Sequence, residues 1–149
     1  MIIGIDPGKR GGVAILSERK IKLINTPEEP TGMADIIISA LNEAYIEGEN
    51  VTAYIENVHA FPTDTRSSAF KFGMNYGMWL GILGSNKVET KKVSPFKWME
   101  PYKPLPKIKK ERKAKLKKIA QEFCPDIRVT LQTCDAFLIS LYGKNNEEL

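Results

Sequence analysis

The chain opens with MIIGIDPGKRGGVAIL (residues 1–16), in which two short apolar runs flank a tight turn. The β-branched run at 2–5 predicts a strand buried on both faces, and 13–16 predicts the returning strand. Pro7-Gly8 supplies the residues that a tight turn needs. Asp6 stands where the first strand ends. Removing an ionised carboxylate from water beside apolar strands costs free energy. We therefore expect either a cation next to Asp6 or a simple turn-initiating role for it.

Length and composition indicate one packed domain spanning residues 1–149. The chain has 149 residues, 42% of them hydrophobic, which is too short for two domains of ordinary size. No apolar run reaches the ~18 residues of a membrane helix, and the N-terminus has no signal-peptide pattern, so we expect a cytoplasmic protein without membrane contact. Cys124 and Cys134 form no C-x-x-C pair, and the chain has one histidine, so neither a zinc site nor a disulfide framework is predicted.

Positive charge is concentrated in residues 103–118. This segment holds eight lysines and one arginine against the single acid Glu111, a local balance of +8. Since the whole chain carries +4, the remaining residues carry −4. Such a segment suits a polyphosphate partner, because each cation placed against a phosphate releases condensed counterions. A solvated basic helix face is the alternative interpretation.

Hydrophobic periodicity predicts the order of strands and helices along the rest of the chain. Strands are expected at 20–26, 51–58 and 88–93, and helices over 31–47, 67–85, 109–123 and 133–142, with a short helix from 95. A strand-helix-strand connection is normally parallel and right-handed, which places the fourth strand beside the first. We therefore expect an α/β fold with a five-stranded mixed sheet of order 3-2-1-4-5 flanked by helices.

Three acids fall close to the ends of predicted elements. Asp6 ends the first strand, Glu56 interrupts the apolar fourth strand near its end, and Asp135 lies in the first turn of the last helix. The expected strand order gathers them at one edge of the sheet. Clustered carboxylates repel one another unless cations lie between them, and hard oxygen ligands select Mg²⁺ or Mn²⁺. Two such ions about 3.5 to 4 Å apart can promote phosphodiester hydrolysis. The ordinary alternatives are that Asp6 initiates a turn, that Glu56 is an exposed residue at a strand end, and that Asp135 interacts with the helix dipole.

The helix predicted over 67–85 has a face of small residues. Gly73, Gly77 and Gly81 recur every four residues along it. Small residues allow close packing either against the sheet or against a second copy of the same helix. Large apolar residues are spread around most of the helix, more than one buried face requires. We therefore expect a homodimer interface here.

The chain resembles RuvC-like Holliday-junction resolvases of the ribonuclease H-like superfamily, particularly the short phage-type proteins. The similarity extends over nearly the whole chain, through GIDPGKRGGVAI, YIENVHAF, SSAFKFGMNYGMWLGIL and CDAFLIS in that order. In that order, the four segments resemble the family's first-strand motif, its second acid with the junction-contacting loop, its dimer helix and its last acidic helix. The resemblance implies a homodimer that cuts four-way DNA junctions with a divalent metal. It also implies that Asp6, Glu56 and Asp135 are catalytic metal ligands for up to two ions, with no small-molecule cofactor.

Two positions depart from the family pattern. Gln132 stands where relatives often carry an acid or a histidine; its amide can coordinate a metal through oxygen, but it lacks the charge that would hold a second ion. His59 stands where the family tends to have an aromatic residue that wedges into the junction, and Phe61 follows two residues later. Either side chain could stack on an unpaired base, and an ordinary loop histidine is the alternative for His59.

The resemblance also implies an active-site lysine from the segment before the last helices. Lys110, within KKERK (109–113), is the best match, although the adjoining lysines leave the position open. Its role would be to stabilise charge that develops in the transition state. For contacts with DNA phosphates we expect Lys107, Lys109, Lys113 and Lys117.

Other functions compete with junction cleavage. A non-catalytic branched-DNA-binding protein would follow if Gln132 marks a lost metal, and a YqgF-like RNA-processing nuclease belongs to the same nuclease class. Gly4-x-Asp6-x-Gly8 also resembles the phosphate loop of actin-like kinases, but those need two domains around the nucleotide. The basic segment and the loop after Glu56 favour branched DNA.

Overall fold

The computed structural model describes residues 1–60 and 62–147, in which five strands form one mixed sheet. The strands are β1 (Ile2–Asp6), β2 (Gly12–Leu16), β3 (Ile21–Asn25), β4 (Thr52–Glu56) and β5 (Glu89–Val93). Their order is β3-β2-β1-β4-β5. The first three strands are antiparallel, and β4 and β5 run parallel to β1. The predicted mixed sheet and its strand order are confirmed.

Helices connect and cover these strands. They are α1 (Pro30–Glu47), α2 (Arg66–Ser85), α3 (Pro95–Met99), α4 (Lys109–Phe123) and α5 (Cys134–Glu147). Local signals set their ends: α1 begins with a proline and ends at Gly48 with φ 69°, and the Thr65 hydroxyl accepts the Ser68 N–H at the start of α2. Within the described ranges, no helix is both long and apolar enough to cross a membrane.

The sheet separates two apolar clusters. Ile3, Ile5 and Ile55 face α1 and α2, where they pack with residues such as Met33 and Trp79. The opposite side of the sheet packs against α3, α4 and α5, through side chains that include Trp98, Leu116, Phe137 and Leu138. Because successive strand residues point to opposite faces, the even-numbered residues of β1 face α5.

β1 and α5 approach each other so closely that only glycine fits at position 4. A Cβ atom on Gly4 would lie 2.2 Å from the carbonyl oxygen of Ala136 and 2.6 Å from the backbone nitrogen of Ser140. Asp135 immediately precedes Ala136. The absence of a side chain at Gly4 therefore sets how near Asp135 comes to the end of β1.

α2 buries few of its residues. Trp79 and Leu83 are its buried side chains, although the helix is 20 residues long. A Cβ atom on Gly73, Gly77 or Gly81 would meet no other described atom within 4 Å. Phe70 and Met74, which are 69% and 50% exposed, fall on the same helix face at three- and four-residue spacing. The glycines therefore do not pack against the sheet. Of the two packing partners that the sequence allowed, a second copy of the helix is the one left.

Candidate active site

Asp6 and Glu56 leave neighbouring parallel strands on the same side of the sheet. β1 and β4 pair with Ile5 opposite Ile55, so the next residues along the chain are the two acids. Both isoleucines face α1 and α2. Since side chains alternate along a strand, Asp6 and Glu56 face the other layer, formed by α3, α4 and α5. The alternation that buries the isoleucines thus also directs the acids towards these three helices.

α4 and α5 bring a lysine and a third acid to this point. The Nζ atom of Lys113 lies 3.4 Å from Oδ2 of Asp6 and is hydrogen-bonded to Oδ2 of Asp135. The side chains of Asp6 and Asp135 are only 13% and 15% exposed. Lys113 therefore places a positive charge between the two acidic side chains.

Burial and neighbouring charges shift the pKa values of Asp6 and Glu56. Burial raises the pKa of Asp6 to about 8; Lys113 opposes this rise, and Asp135 and Glu56 add to it. Burial also raises the pKa of Glu56, an effect that the indole N–H of Trp98 opposes and Asp135 promotes. Burial alone would lower the pKa of Lys113, but the two aspartates hold it above its usual value. At neutral pH the arrangement therefore favours a protonated Asp6 and a charged Lys113.

Glu56 is held by α3. The indole Nε1 of Trp98 donates a hydrogen bond to Oε1 of Glu56 at 2.9 Å, and Trp98 is 1% exposed. Lys109, the first residue of α4, lies near enough to favour the charged form of Glu56 by lowering its pKa. The start of the basic helix is thus next to the acids.

The turn after Asp6 is fixed by α2. The N–H of Gly8 donates to Oδ1 of Asn75 at 2.7 Å, and a Cβ atom on Gly8 would lie 3.0 Å from the ring of Phe72. Gly8 has φ 120°, a conformation that glycine adopts without strain. α2 therefore contacts the loop that follows the first acid, while its glycine face points away from the protein.

The acids offer oxygen donors of the kind that a hard divalent cation prefers, although Lys113 lies between two of them. Within residues 1–60 and 62–147, no three His, Cys, Asp or Glu side chains are placed as a group that could hold one metal ion. The side chains that converge here are nevertheless carboxylates of low exposure, the ligands that Mg²⁺ and Mn²⁺ prefer. A divalent ion would supply the charge compensation that Lys113 provides between Asp6 and Asp135.

The remaining predicted site residues lie around this cluster. A Cβ atom on Gly12, the partner of Asp6 in the sheet, would lie 2.7 Å from the backbone carbonyl oxygen of Gln132, so the main chain of Gln132 borders the site. His59 is exposed in the loop after β4. Phe61, the other expected stacking residue, lies outside the described residues.

The structure brings Lys113, and not Lys110, to the acids. Lys110 is exposed on α4, and Lys113 had been expected to contact DNA phosphates. The sequence does contain a signal for Lys113: Leu116 and Ala120, the buried residues of α4, follow it by three and seven positions and so share its helix face. Lys107 and Lys109 are exposed, and Lys117 is partly buried.

Trp98 was not among the predicted site residues. The sequence indicated only a short capped helix around it, and the contact with Glu56 depends on how β5 pairs with β4. Sequence periodicity alone carries no signal for such a contact.

Comparison with known proteins finds similarity in structure only. No family model matches the chain, and no curated protein matches it. Solved structures share its fold. Thermus thermophilus RuvC in complex with Holliday junction substrate has 16% sequence identity and a TM-score of 0.63, covering 99% of this chain and 94% of that one. A second structure of Thermus thermophilus RuvC has 15% identity and a TM-score of 0.61, covering 99% and 95%.

The mixed sheet of order 3-2-1-4-5 with helices on both faces defines a ribonuclease H-like fold. Within that class the chain has the fold of RuvC along almost its whole length. The resemblance that the sequence motifs suggested is thereby confirmed in the fold.

We predict that the stability of metal-free Asp6→Asn, relative to wild type, increases with pH. The pKa of Asp6 is about 8 in the folded protein against an ordinary value of 3.8. As pH rises between these values, the unfolded chain releases a proton that the folded chain retains, so wild-type stability falls. Asp6→Asn has no such proton, so its stability relative to wild type should rise by at least ~1 kcal/mol between pH 5 and pH 8.

Urea denaturation in the presence of chelator measures this difference in the free energy of unfolding. Asp35→Asn, at an exposed acid of α1, is the matched control and should follow wild type at both pH values. A stability difference between Asp6→Asn and wild type that is the same at pH 5 and pH 8 would contradict a raised pKa for Asp6.

Proposed function

We propose that this protein is a metal-dependent endonuclease that cleaves four-way (Holliday) or other branched DNA junctions by phosphodiester hydrolysis, within a single domain. The observation that carries the proposal is the convergence of Asp6, Glu56 and Asp135 from three separate elements, with Lys113 between two of them. The fold supports it, because one of the structures that share this fold is a RuvC in complex with Holliday junction substrate.

The three acids would hold Mg²⁺, for which Mn²⁺ would substitute. Gln132, at the border of the site, would offer an amide oxygen to a second ion. When bound, such ions activate the attacking water and stabilise the leaving oxygen. The acids themselves supply the negative charge that attracts the ions, and Asp6 gives up its proton to do so.

Lys113 would stabilise the negative charge that develops on the phosphate. Its two carboxylate neighbours raise its pKa, so the ammonium keeps its proton in neutral solution. A fixed positive charge in a site of low exposure stabilises developing charge more strongly than one in water. If metal ions neutralised the charge of the acids, the ammonium of Lys113 would be available to contact a phosphate oxygen.

The basic segment would contact the DNA backbone. α4 begins beside Glu56 and carries exposed lysines away from it, so phosphates near the acids would meet successive positive charges. The lysines proposed for these contacts are Lys107, Lys109, Lys110 and Lys117. His59, in the exposed loop after Glu56, and Phe61 would stack on unpaired bases of the junction.

A homodimer would place two such sites on one junction. The open face of α2 combines Gly73, Gly77 and Gly81 with the exposed side chains of Phe70 and Met74. A second copy of α2 could approach the glycines closely while the flanking apolar side chains become buried. Cutting both strands of a two-fold junction requires two sites in a fixed relation, which this packing would supply.

Cleavage assays with defined nucleic acids test the function. Four-way, three-way and linear duplex DNA and a structured RNA are incubated with protein and Mg²⁺ or chelator. We expect paired, Mg²⁺-dependent nicks in four-way DNA. Asp6→Asn, Glu56→Gln and Asp135→Asn should each reduce cutting by at least about 100-fold while junction affinity changes little.

Each other outcome corresponds to a different function. Tight junction binding by wild type without cutting in Mg²⁺ or Mn²⁺ would show a non-catalytic DNA-binding protein. Cutting of RNA in preference to branched DNA would show an RNA-processing nuclease. Near-normal cutting by any one acid variant would remove that residue from the site.

We predict that Lys113 and Lys110 have separable roles. Lys113→Gln should lower the single-turnover cutting rate by about 100-fold or more at saturating protein, because charge stabilisation acts in the transition state. Lys110→Gln should leave that rate nearly unchanged. It should instead weaken junction binding and reduce the log-log salt slope by about one unit if Lys110 contacts a phosphate. The opposite pattern would assign the catalytic role to Lys110.

We predict that Gly77→Leu shifts the protein towards monomer. Overpacking costs about 1 to 3 kcal/mol per site, and two copies of the change would meet across a two-fold interface. Sedimentation equilibrium at micromolar concentration measures the shift, with Lys71→Leu on another face of α2 as the control. A wild type that stays monomeric even when bound to a junction would refute the dimer.

A further inference from the structure

Trp98 places a hydrogen-bond donor against one oxygen of Glu56. Its indole N–H donates to Oε1 at 2.9 Å from a side chain that is 1% exposed. An indole has one donor and no acceptor, and a buried donor left unpaired costs about 1 to 3 kcal/mol. The contact is therefore stabilising for both partners, since it satisfies the indole and limits the orientations of the carboxylate.

The element that carries Trp98 also holds the backbone of Glu56. Glu56 pairs with Val93 in the sheet, and the N–H of Asn57 donates to the carbonyl of Val93 at 2.7 Å. α3 follows β5 directly, and the backbone N–H of Trp98 donates to the Ser94 carbonyl at 3.3 Å. The main chain and the side chain of Glu56 are thus both held by one continuous segment, residues 93–98.

The other tryptophan of the chain provides a contrast. Trp79 is 0% exposed on the opposite side of the sheet, and its Nε1 has no hydrogen-bond partner among the described residues. Trp79 therefore shows that this fold tolerates a buried indole N–H without a partner. The N–H of Trp98 is satisfied by a residue of the candidate site, so its position has a consequence beyond packing.

We propose that Trp98 is a positioning residue for the metal site: its indole N–H holds Glu56 through Oε1 and leaves Oε2 as the oxygen for a divalent cation. This inference depends on the metal-dependent function proposed above. Hydrogen bonds from outer residues orient metal ligands, and their loss typically lowers metal affinity by about 10- to 100-fold. The indole would act on binding of the metal, before any contact with DNA.

Calorimetric titration of Mn²⁺ into DNA-free protein measures this effect directly. Trp98→Phe retains most of the buried ring but has no N–H, so we expect its Mn²⁺ affinity to fall by about 10-fold or more. Trp79→Phe, the matched control, removes an unpartnered N–H and should bind Mn²⁺ as wild type does. Junction binding in chelator should be alike in all three proteins.

Fluorescence provides a second readout that leaves Trp98 in place. The chain contains two tryptophans, so Trp98 is the sole tryptophan of Trp79→Phe. Titration of Mg²⁺ should change its emission over the range in which metal binds, because the acceptor of its N–H becomes a metal ligand. The change should disappear in the double variant Trp79→Phe, Glu56→Gln.

The outcomes separate this inference from the proposed function. A wild type that binds neither Mn²⁺ nor Mg²⁺ would overturn both. A wild type that binds Mn²⁺, with Trp98→Phe equal to Trp79→Phe, would overturn the role of Trp98 alone. If Trp98→Phe does not fold, the fluorescence of Trp79→Phe still tests the inference. An emission of Trp98 that does not change on saturation with Mg²⁺ would overturn the role of Trp98.

Discussion

The burial of Asp6 beside two other acids is the constraint on which the rest of the structure depends. Moving a carboxylate out of water costs several kcal/mol, and neighbouring like charges add to that cost. The protein offsets it with a retained proton on Asp6, the ammonium of Lys113 and the indole N–H that reaches Glu56. The last two come from α4 and α3, so one side of the sheet is covered by the helices that compensate its acids.

Much of this architecture could be predicted because its causes are local. Apolar β-branched runs, turn residues and helical spacing are visible in short windows, and the handedness of strand connections then determines the sheet order. The end of α5 shows the limit. The prediction stopped at 142, but the helix continues to Glu147, whose carboxylate accepts from the Tyr54 hydroxyl, while Gly143 packs on the Tyr54 ring. A contact 93 residues away in sequence is absent from any local pattern.

The sequence predicted that the three acids lie at one edge of the sheet, but it did not predict which side chains contact them. Each acid has an ordinary explanation taken alone, but the predicted sheet order brings all three to one edge. Lysines are so frequent between 103 and 118 that residue type distinguishes none of them. Only helix phase relative to Leu116 and Ala120 separates Lys113 from Lys110. Trp98 reaches Glu56 through strand pairing, which depends on tertiary structure.

The contact between Lys113 and Asp6 joins residues 107 positions apart. During synthesis, β1 to β4 can emerge and begin to pair while α4 and α5 are still inside the ribosome. A nascent chain of that length exposes Asp6 and Glu56 without Lys113 or Asp135. The cluster is completed only when α5 docks against Gly4. The order of translation therefore keeps the candidate site chemically incomplete until α5 has been made.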